Sequence, residues 1–308
     1  MRLLGKLVVA AAILAAAGGL AFWWATAPEP LSAQALAALP QGDAARGERI
    51  FWAGGCTSCH ARPGAKGDAV LELAGGLELN TPFGSFVAPN ISQHPQDGIG
   101  NWTADDLANA MLRGVSPQGR HYYPAFPYGS YARMEPADIA DLHAFMKSLP
   151  AVQGKAAANK LKFPFNIRRG VGAWKLVNLS PEPVVEIPDA SEQVVRGQYL
   201  VEGPGHCGEC HTPRDVSGGL RKDEWLAGAV AAEREGVVPN ITPGGLDWSA
   251  SDIAYFLESG FTPDFDSVGG SMAEVQRNMA RLPAEDREAI AAYLKAIPAL
   301  DNGYTARQ

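Results

Sequence analysis

The hydropathy pattern begins with an apolar run close to the N-terminus. Residues 7–24 carry no charge over 18 positions, and Arg2 and Lys6 precede them. A helix of about 20 apolar residues crosses a bilayer, and basic residues before it hold the N-terminus in the cytoplasm. The pattern predicts a signal anchor or transmembrane helix over residues 1–27, with the rest of the chain exported. Cleavage at the Ala-Thr-Ala of residues 25–27, as in a secretory signal peptide, remains the alternative.

Further along, apolar positions recur at helical spacing in short segments between glycine- and proline-rich loops. Four polar residues precede such segments as candidate N-caps: Asp43, Thr103, Ser191 and Ser249. Two more helices are predicted at 136–150 and 283–298, each opened and stopped by proline. Alternating strand patterns are scarce. The elements predict an all-α fold.

The pattern of elements occurs twice, about 150 residues apart. The stretch RGERIFWAGGC (46–56) corresponds to RGQYLVEGPGHC (196–207), and APNI (88–91) corresponds to VPNI (238–241). Gly47 and Gly197 match inside predicted helices, where a glycine permits the close approach of another helix. The duplication predicts two domains over 41–150 and 191–300. Residues 151–190 are too apolar and aromatic for a loose spacer, so we expect a packed linker.

Charge narrows the classes of partner. The 308 residues include 26 basic and 33 acidic side chains, so no basic field attracts nucleic acid or anionic lipid. Without the first 27 residues, 24 basic side chains face 33 acidic ones, a net charge of −9. We therefore expect an acidic exported surface that suits basic protein partners and no binding of nucleic acid.

All four cysteines lie in two Cys-x-x-Cys-His motifs: Cys56, Cys59 and His60, and Cys207, Cys210 and His211. This motif is typical of covalent c-type haem attachment, in which the thiols bind the porphyrin and the histidine ligates iron. Disulfides across two residues close very small loops and leave both histidines unexplained. A thioredoxin-like motif needs a βαβ unit, and a zinc site needs closer cysteine pairs. The sequence predicts two covalently bound haem c groups.

Each iron then has one axial position left. Methionine there raises the reduction potential, whereas an open position suggests catalysis. In the second half we expect Met272, a loop residue after a glycine pair, in preference to Met279 on a predicted helix. In the first half Phe126 stands near the position of Met272 and cannot ligate iron. Met134 is the favoured residue, with His121 or an open site as alternatives.

The order helix, Cys-x-x-Cys-His, loop, helix, methionine, helix resembles two cytochrome c domains in tandem. Several stretches resemble the cytochrome c subunit of membrane-bound bacterial dehydrogenases of the alcohol and gluconate type: TPFGSFVAPNIS (81–92), GRHYYPAFPYGSYARM (119–134), LKFPFNIR (161–168), CHTPRD (210–215) and GGSMAEV (269–275). The family usually carries three haem motifs, whereas this sequence has two. Its aromatic-proline loop often holds a methionine where Phe126 stands.

The resemblance implies an electron-transfer subunit. Its donor would be a periplasmic dehydrogenase catalytic subunit of the quinoprotein, flavoprotein or molybdenum type, and its acceptor a downstream cytochrome, an oxidase or quinone. The haem domains would lie in the periplasm, held at the inner membrane by the N-terminal anchor. Two alternatives remain: a dihaem enzyme of the peroxidase or thiosulfate-oxidising type with one open or displaceable ligand, and a sensor or assembly factor that only holds haem.

Overall fold

A computed structural model describes residues 2–231, 236–302 and 304. Helix α1 (Arg2–Ala25) is apolar, and none of its residues is buried. It is long and apolar enough to cross a membrane, as predicted, although a signal sequence near an N-terminus has the same character.

The remaining helices lie in two series separated by one linker helix, α8 (Gly170–Asn178). Those of the first half are α2 (Ala33–Ala37), α3 (Ala44–Ala53), α4 (Cys56–His60), α5 (Ala104–Arg113), α6 (Tyr128–Tyr131) and α7 (Pro136–Met146). Those of the second half are α9 (Glu192–Glu202), α10 (Gly208–His211), α11 (Ala250–Ser259), α12 (Met272–Met279) and α13 (Ala284–Ala296). Short 3₁₀ helices occupy Gly67–Glu72 and Lys222–Glu224.

Five short strands correct the all-α expectation to a mostly helical fold. Strands β1 (Glu78–Thr81), β2 (Gly84–Val87) and β3 (Lys160–Leu161) form an antiparallel sheet. Strands β4 (Ala229–Val230) and β5 (Val237–Val238) form a two-stranded one. Strands of two to four residues are too short to produce a recognisable alternation of polar and apolar positions.

All four predicted N-caps are confirmed. Asp43 and Ser191 accept backbone hydrogen bonds at the starts of α3 and α9. Thr103 and Ser249 form complete capping boxes at the starts of α5 and α11. A side-chain oxygen at this position satisfies amide groups that have no partner inside the helix.

Each half is built on one closely packed helix pair. In the first half α3 packs against α7, and a Cβ on Gly47 would overlap the carbonyl oxygen of Asp141. In the second half α9 packs against α13, and a Cβ on Gly197 would overlap the carbonyl oxygen of Ala289. The predicted close approach at both glycines is confirmed.

Residues between the halves contact both of them. Strand β3 extends the sheet of the first half at β2. Toward the second half, the backbone amide of Val184 donates to Glu202 at 2.6 Å, and Gln198 donates to the carbonyl of Val185 at 2.6 Å. These hydrogen bonds tie the chain on either side of α8 to different halves.

The halves also contact each other directly through buried charge. Asp286 is fully buried, and it pairs with Arg196 of its own half at 2.8 Å and with Arg49 of the first half. In the opposite direction, Tyr199 of the second half donates to Asp138 of the first at 2.5 Å. Each half therefore donates a hydrogen bond to an aspartate of the other half.

Candidate functional site

The first Cys-x-x-Cys-His motif forms the short helix α4, directly after α3. Gly55 between the two helices has φ 54°, a left-handed conformation that favours glycine, and it turns the chain sharply. Cys56 and Cys59 are partly buried free thiols. Burial, and secondarily the neighbouring Cys59, raises the pKa of Cys56 to about 12.

The second motif repeats this arrangement on α10. His206 takes the left-handed conformation at φ 40°, in the position that Gly55 occupies in the first motif. Gly208 lies against the Trp225 ring so closely that a Cβ would overlap it. Cys207 is a free thiol, and burial followed by the effect of Cys210 raises its pKa to about 12. Since Cys56, Cys59 and Cys207 are free, neither pair is closed by a disulfide.

The two motif histidines make the same hydrogen bond. Nδ1 of His60 lies 2.8 Å from the carbonyl oxygen of Pro89, and Nδ1 of His211 lies 2.8 Å from that of Pro239. A carbonyl can only accept, so each Nδ1 donates and each Nε2 keeps its lone pair. Burial lowers the pKa of both histidines against the opposing effect of the carbonyl. Both imidazoles are thus in the neutral form that ligates a metal.

These proline carbonyls are functional groups that the sequence prediction missed. The sequence shows that Pro-Asn-Ile is repeated, but it does not show that the proline carbonyls bind the motif histidines. Asn90 donates to the carbonyl of Val152 at 2.8 Å, and Asn240 donates to that of Leu300 at 2.7 Å. Each asparagine ties its loop to the chain beyond the closing helix. The preceding proline carbonyl is thereby held in place for the histidine.

The candidate methionine ligands occupy different settings. Met134 is buried soon after α6. Met272 is partly buried and begins α12, so the expectation that it lies in a loop is wrong. Ser271 before it is already in a helical conformation, which the glycine pair concealed. Met279 is buried in the core, as expected for a helix methionine. Met134 and Met272 stay predictions as sixth ligands.

The alternatives in the first half have other partners. Nε2 of His121 lies 3.0 Å from the carbonyl oxygen of Thr26, just after α1. Phe126 packs in a cluster of aromatic rings with Tyr122, Tyr128 and Tyr131. Nε2 of His121 therefore binds the end of the N-terminal helix, whereas its buried Nδ1 has no partner among the described residues. The phenylalanine has a packing role.

The first motif contacts the methionine-bearing helix of the other half. Thr57 donates to Oδ1 of Asn278 at 2.8 Å, and the amide of Asn278 donates to Ser58 at 3.1 Å. Thr57 and Ser58 are the two residues between Cys56 and Cys59. Asn278 lies on α12, which begins at Met272. The first motif therefore contacts the helix that carries the candidate ligand of the second haem.

The second motif makes the reciprocal contact. Glu209, between Cys207 and Cys210, accepts a hydrogen bond from Ser130 of α6 at 3.0 Å. The ring of His206 packs against Tyr131 with centroids 5.7 Å apart. Both contacts come from the segment that leads into Met134. Each motif thus contacts the segment holding the other half's candidate methionine.

Tyr131 is buried, and its ring packs against His206 beside the second motif. Burial raises the pKa of Tyr131 well above its usual value, and the nearby Cys56, Cys59 and Glu209 add to that rise. The side chain thus interacts electrostatically with groups of both motifs.

The residues fit a c-type haem in each half. Paired thiols and a neutral, oriented imidazole are the donor set that this cofactor requires. In addition, Tyr128 Oη and Trp174 Nε1 are buried donors without a partner among the described residues. A buried unpaired donor is costly, and the propionate carboxylates of haem are acceptors that would satisfy such groups. Within the described residues, no three His, Cys, Asp or Glu side chains converge as in a zinc site.

Comparison with known proteins agrees with this donor set. The cytochrome c family model matches residues 44–150. A protein from Cereibacter sphaeroides described as "Diheme cytochrome c-type" is 54% identical over 95% of this chain and 97% of its own length. The chain belongs to the dihaem c-type cytochromes. Its two haem c groups are accordingly assigned to the motifs at Cys56 and Cys59 and at Cys207 and Cys210.

This dihaem cytochrome is also similar to subunits of larger assemblies. The cytochrome c subunit of a quinone-type alcohol dehydrogenase from Gluconobacter oxydans is 34% identical over 84% of the chain and 55% of its own length. The gluconate 2-dehydrogenase cytochrome c subunit of Pantoea cypripedii is 35% identical over 84% of the chain and 60% of its own length. The chain thus spans just over half of each dehydrogenase subunit. The predicted family resemblance is confirmed.

Proposed function

We propose that this dihaem cytochrome is a membrane-anchored electron carrier between a periplasmic dehydrogenase and the respiratory chain. Its donor would be a catalytic subunit of the quinoprotein, flavoprotein or molybdenum type. Its acceptor would be a downstream cytochrome, an oxidase or quinone. The names of the similar dehydrogenase subunits support this assignment, as does the reciprocal contact between the two haem motifs.

That reciprocal contact is the observation that carries the proposal. Thr57 and Ser58 of one motif bind Asn278, and Glu209 of the other binds Ser130. Such contacts place the covalent attachment points on either side of one shared, buried interface. A carrier needs this arrangement because an electron entering at one site must reach the other without leaving the protein.

Bound haem iron supplies one-electron oxidation and reduction. The chain supplies the ligands and the surroundings. We propose His60 and His211 as proximal ligands, each oriented by its proline carbonyl. Met134 and Met272 are the proposed sixth ligands, which would close both irons to substrate. The two haem units correspond to residues 41–150 and 191–300, with 151–190 as the packed linker.

Several contacts support retention of the N-terminal helix as an anchor. Thr26 is almost fully buried. Its hydroxyl accepts from Arg169 at 3.1 Å, and its carbonyl lies against Gly172, where a Cβ would overlap it. Cleavage at residues 25–27 would leave this binding site for Thr26 empty or occupied by a charged terminus. We therefore assign residues 1–27 to an anchor in the inner membrane, with the haem domains in the periplasm.

The test uses the full-length protein with both haems, purified from membranes. Rapid mixing with a reduced donor should reduce both haems, and an oxidised acceptor cytochrome should reoxidise both. Cyanide and peroxide should leave the resting spectrum unchanged, because both irons have six ligands. Fast cyanide binding at one resting haem, together with peroxide turnover, would instead support the dihaem enzyme.

A further inference from the structure

The linker carries a local positive charge that the whole-chain balance conceals. Residues 151–181 contain six basic side chains and no acidic one, and residues 182–190 add three acidic ones, in a chain whose net charge is −7. Within the described residues, only Lys160 of these six forms an ion pair, with Glu78 at 3.2 Å, and Lys175 is partly buried. The whole chain lacks a basic field, which argues against attraction to anionic lipid. This segment carries a net positive charge, so that argument does not apply to it.

Large apolar side chains are exposed in the same segment. A compact turn follows β3, in which the amide of Asn166 donates to the carbonyl of Lys162. Phe163 on this turn is 78% exposed, and Val177 at the end of α8 is 84% exposed. We call the exposed side chains of this turn and of the end of α8 the linker surface: Lys162, Phe163, Phe165, Ile167, Leu176 and Val177.

The two parts of the linker surface are connected. The Phe165 ring packs on Phe83 with centroids 4.8 Å apart. Phe83 lies against Gly218, and the next residue, Gly219, lies against Asn178 at the end of α8. One continuous stretch of molecular surface thus joins the turn to the end of the helix.

The linker surface adjoins the end of the N-terminal helix. The guanidinium of Arg169 lies over the Trp23 ring, 4.1 Å from its centroid. Arg169 follows Ile167 by two residues, and Gly172 of the same α8 holds the carbonyl of Thr26. Trp23 and Trp24 lie where a membrane-spanning α1 would leave the bilayer, at the depth that tryptophan prefers.

We propose that the linker surface binds the outer leaflet of the membrane and contacts anionic phospholipid. Exposed phenylalanines between basic side chains are the pattern by which protein surfaces enter a lipid interface. The adjoining N-terminal helix already holds this surface at the bilayer. Binding of the surface to lipid therefore loses less translational and rotational entropy than binding from solution would. The proposal depends on retention of that helix, as proposed above.

Lipid is favoured over a protein partner for two reasons. The linker surface begins within a few residues of the bound end of α1, where lipid headgroups are the nearest neighbours. Its charge is opposite to that of anionic phospholipid and opposite to the acidic balance of the rest of the chain. Binding at two places, α1 and the linker surface, would hold both haem domains at a fixed angle to the membrane.

The experiment uses the full-length protein with both haems in phosphatidylglycerol-containing vesicles, without any dehydrogenase. A nitroxide is attached through Phe163→Cys, and EPR power saturation compares its collisions with oxygen and with a water-soluble nickel complex. The matched control is Phe265→Cys, since Phe265 is 91% exposed but lies between two aspartates. Reduced protein is used so that the haem irons do not relax the label.

We expect the label at position 163 to collide more with oxygen than with nickel, and the label at position 265 to show the reverse. Lys162→Gln, or replacement of phosphatidylglycerol by phosphatidylcholine, should weaken the protection at position 163. Equal nickel access at both positions would overturn the proposal. So would protection that arises only when a dehydrogenase is added or only at high protein concentration, since either would identify a protein interface.

Loss of the N-terminal anchor by cleavage is detected by a separate measurement. The intact mass of the same preparation reports whether residues 1–27 are present. If the anchor is retained but the label at position 163 is exposed to water, the proposed membrane binding of the linker surface is wrong. The anchor assignment is then unaffected. Electron transfer by that preparation, measured in detergent, tests the carrier function independently of both.

Discussion

At the scale of single residues, the haem sites depend on pairs of groups that are distant in sequence. His60 is oriented by a carbonyl 29 positions away, and that carbonyl is held by the asparagine beside it. The same set recurs around His211. The geometry of each motif histidine is therefore set by a loop that contains no proposed metal ligand.

Substitution of the methionines tests the sixth ligands. Met134→Leu and Met272→Leu should each remove the methionine-to-iron charge-transfer absorption of one haem and lower its reduction potential, because methionine ligation raises the potential. Met279→Leu is the control, since this core residue should alter neither haem. Potentiometric titration of each variant with optical detection provides the measurement. A Met134→Leu variant with an unchanged spectrum would exclude Met134 as a ligand.

At the scale of helices and strands, the duplication reflects one repeated packing unit. The glycines of α3 and α9 allow the backbones of α7 and α13 to approach closely. In both pairs an arginine one residue before the glycine binds a buried aspartate of the partner helix: Arg46 binds Asp141, and Arg196 binds Asp286. Close packing and an ion pair to a buried aspartate thus occur together.

A methyl group at either crossing should be poorly tolerated. Gly47→Ala and Gly197→Ala would each force a backbone shift, with an expected loss of about 3 kcal/mol in the free energy of unfolding. Gly269→Ala is the matched control, because nothing lies within 4 Å of its added Cβ. Urea unfolding of the three proteins, each with both haems, measures the difference. Equal midpoints for Gly197→Ala and Gly269→Ala would contradict the close approach.

At the scale of the whole molecule, the halves form one unit because buried polar groups cross between them. Asp286 accepts from Arg196 of its own half and from Arg49 of the other. Asn278 and Glu209 make the corresponding contacts at the haem motifs. The linker adds its own contacts to each half. The separation of the two haems is therefore a property of the interface.

Loss of the Asp286 charge should weaken that interface. Breaking a buried ion pair costs about 3–5 kcal/mol, and we expect Asp286→Asn to lie near the lower figure. The reason is that the Arg49 and Arg196 side chains remain 37% and 33% exposed. Asp141→Asn is the control, because Asp141 pairs with Arg46 inside one half. Inter-haem electron transfer after flash photolysis should slow in Asp286→Asn only. Equal rates would show that Asp286 does not set the haem separation.

The same residue should influence acid stability. Burial alone raises the pKa of Asp286, but hydrogen bonds and charges from Arg49 and Arg196 outweigh it and hold the pKa below 3.8. The ionised Asp286 therefore stabilises the fold fully at a pH above the ordinary pKa of an aspartate. This stabilisation is lost as the pH falls through the lower pKa that Asp286 has in the folded state. Urea midpoints measured from pH 5 downward should fall more steeply for the unaltered protein than for Asp286→Asn. Parallel curves would contradict this assignment.

The amino-acid sequence is enough to predict the cofactor, the duplication, the helix starts and the apolar N-terminal segment. Each of these depends on neighbouring residues: two thiols and a histidine within five positions, an N-cap before a helix, or an unbroken apolar run. It did not determine the short strands, the helical position of Met272 or the contacts between the two motifs. These features arise only in the folded chain, because they depend on which distant surfaces pack together. Tyr131 packs against His206, and Thr26 lies beside Gly172, because helices and loops far apart in the chain share one interior.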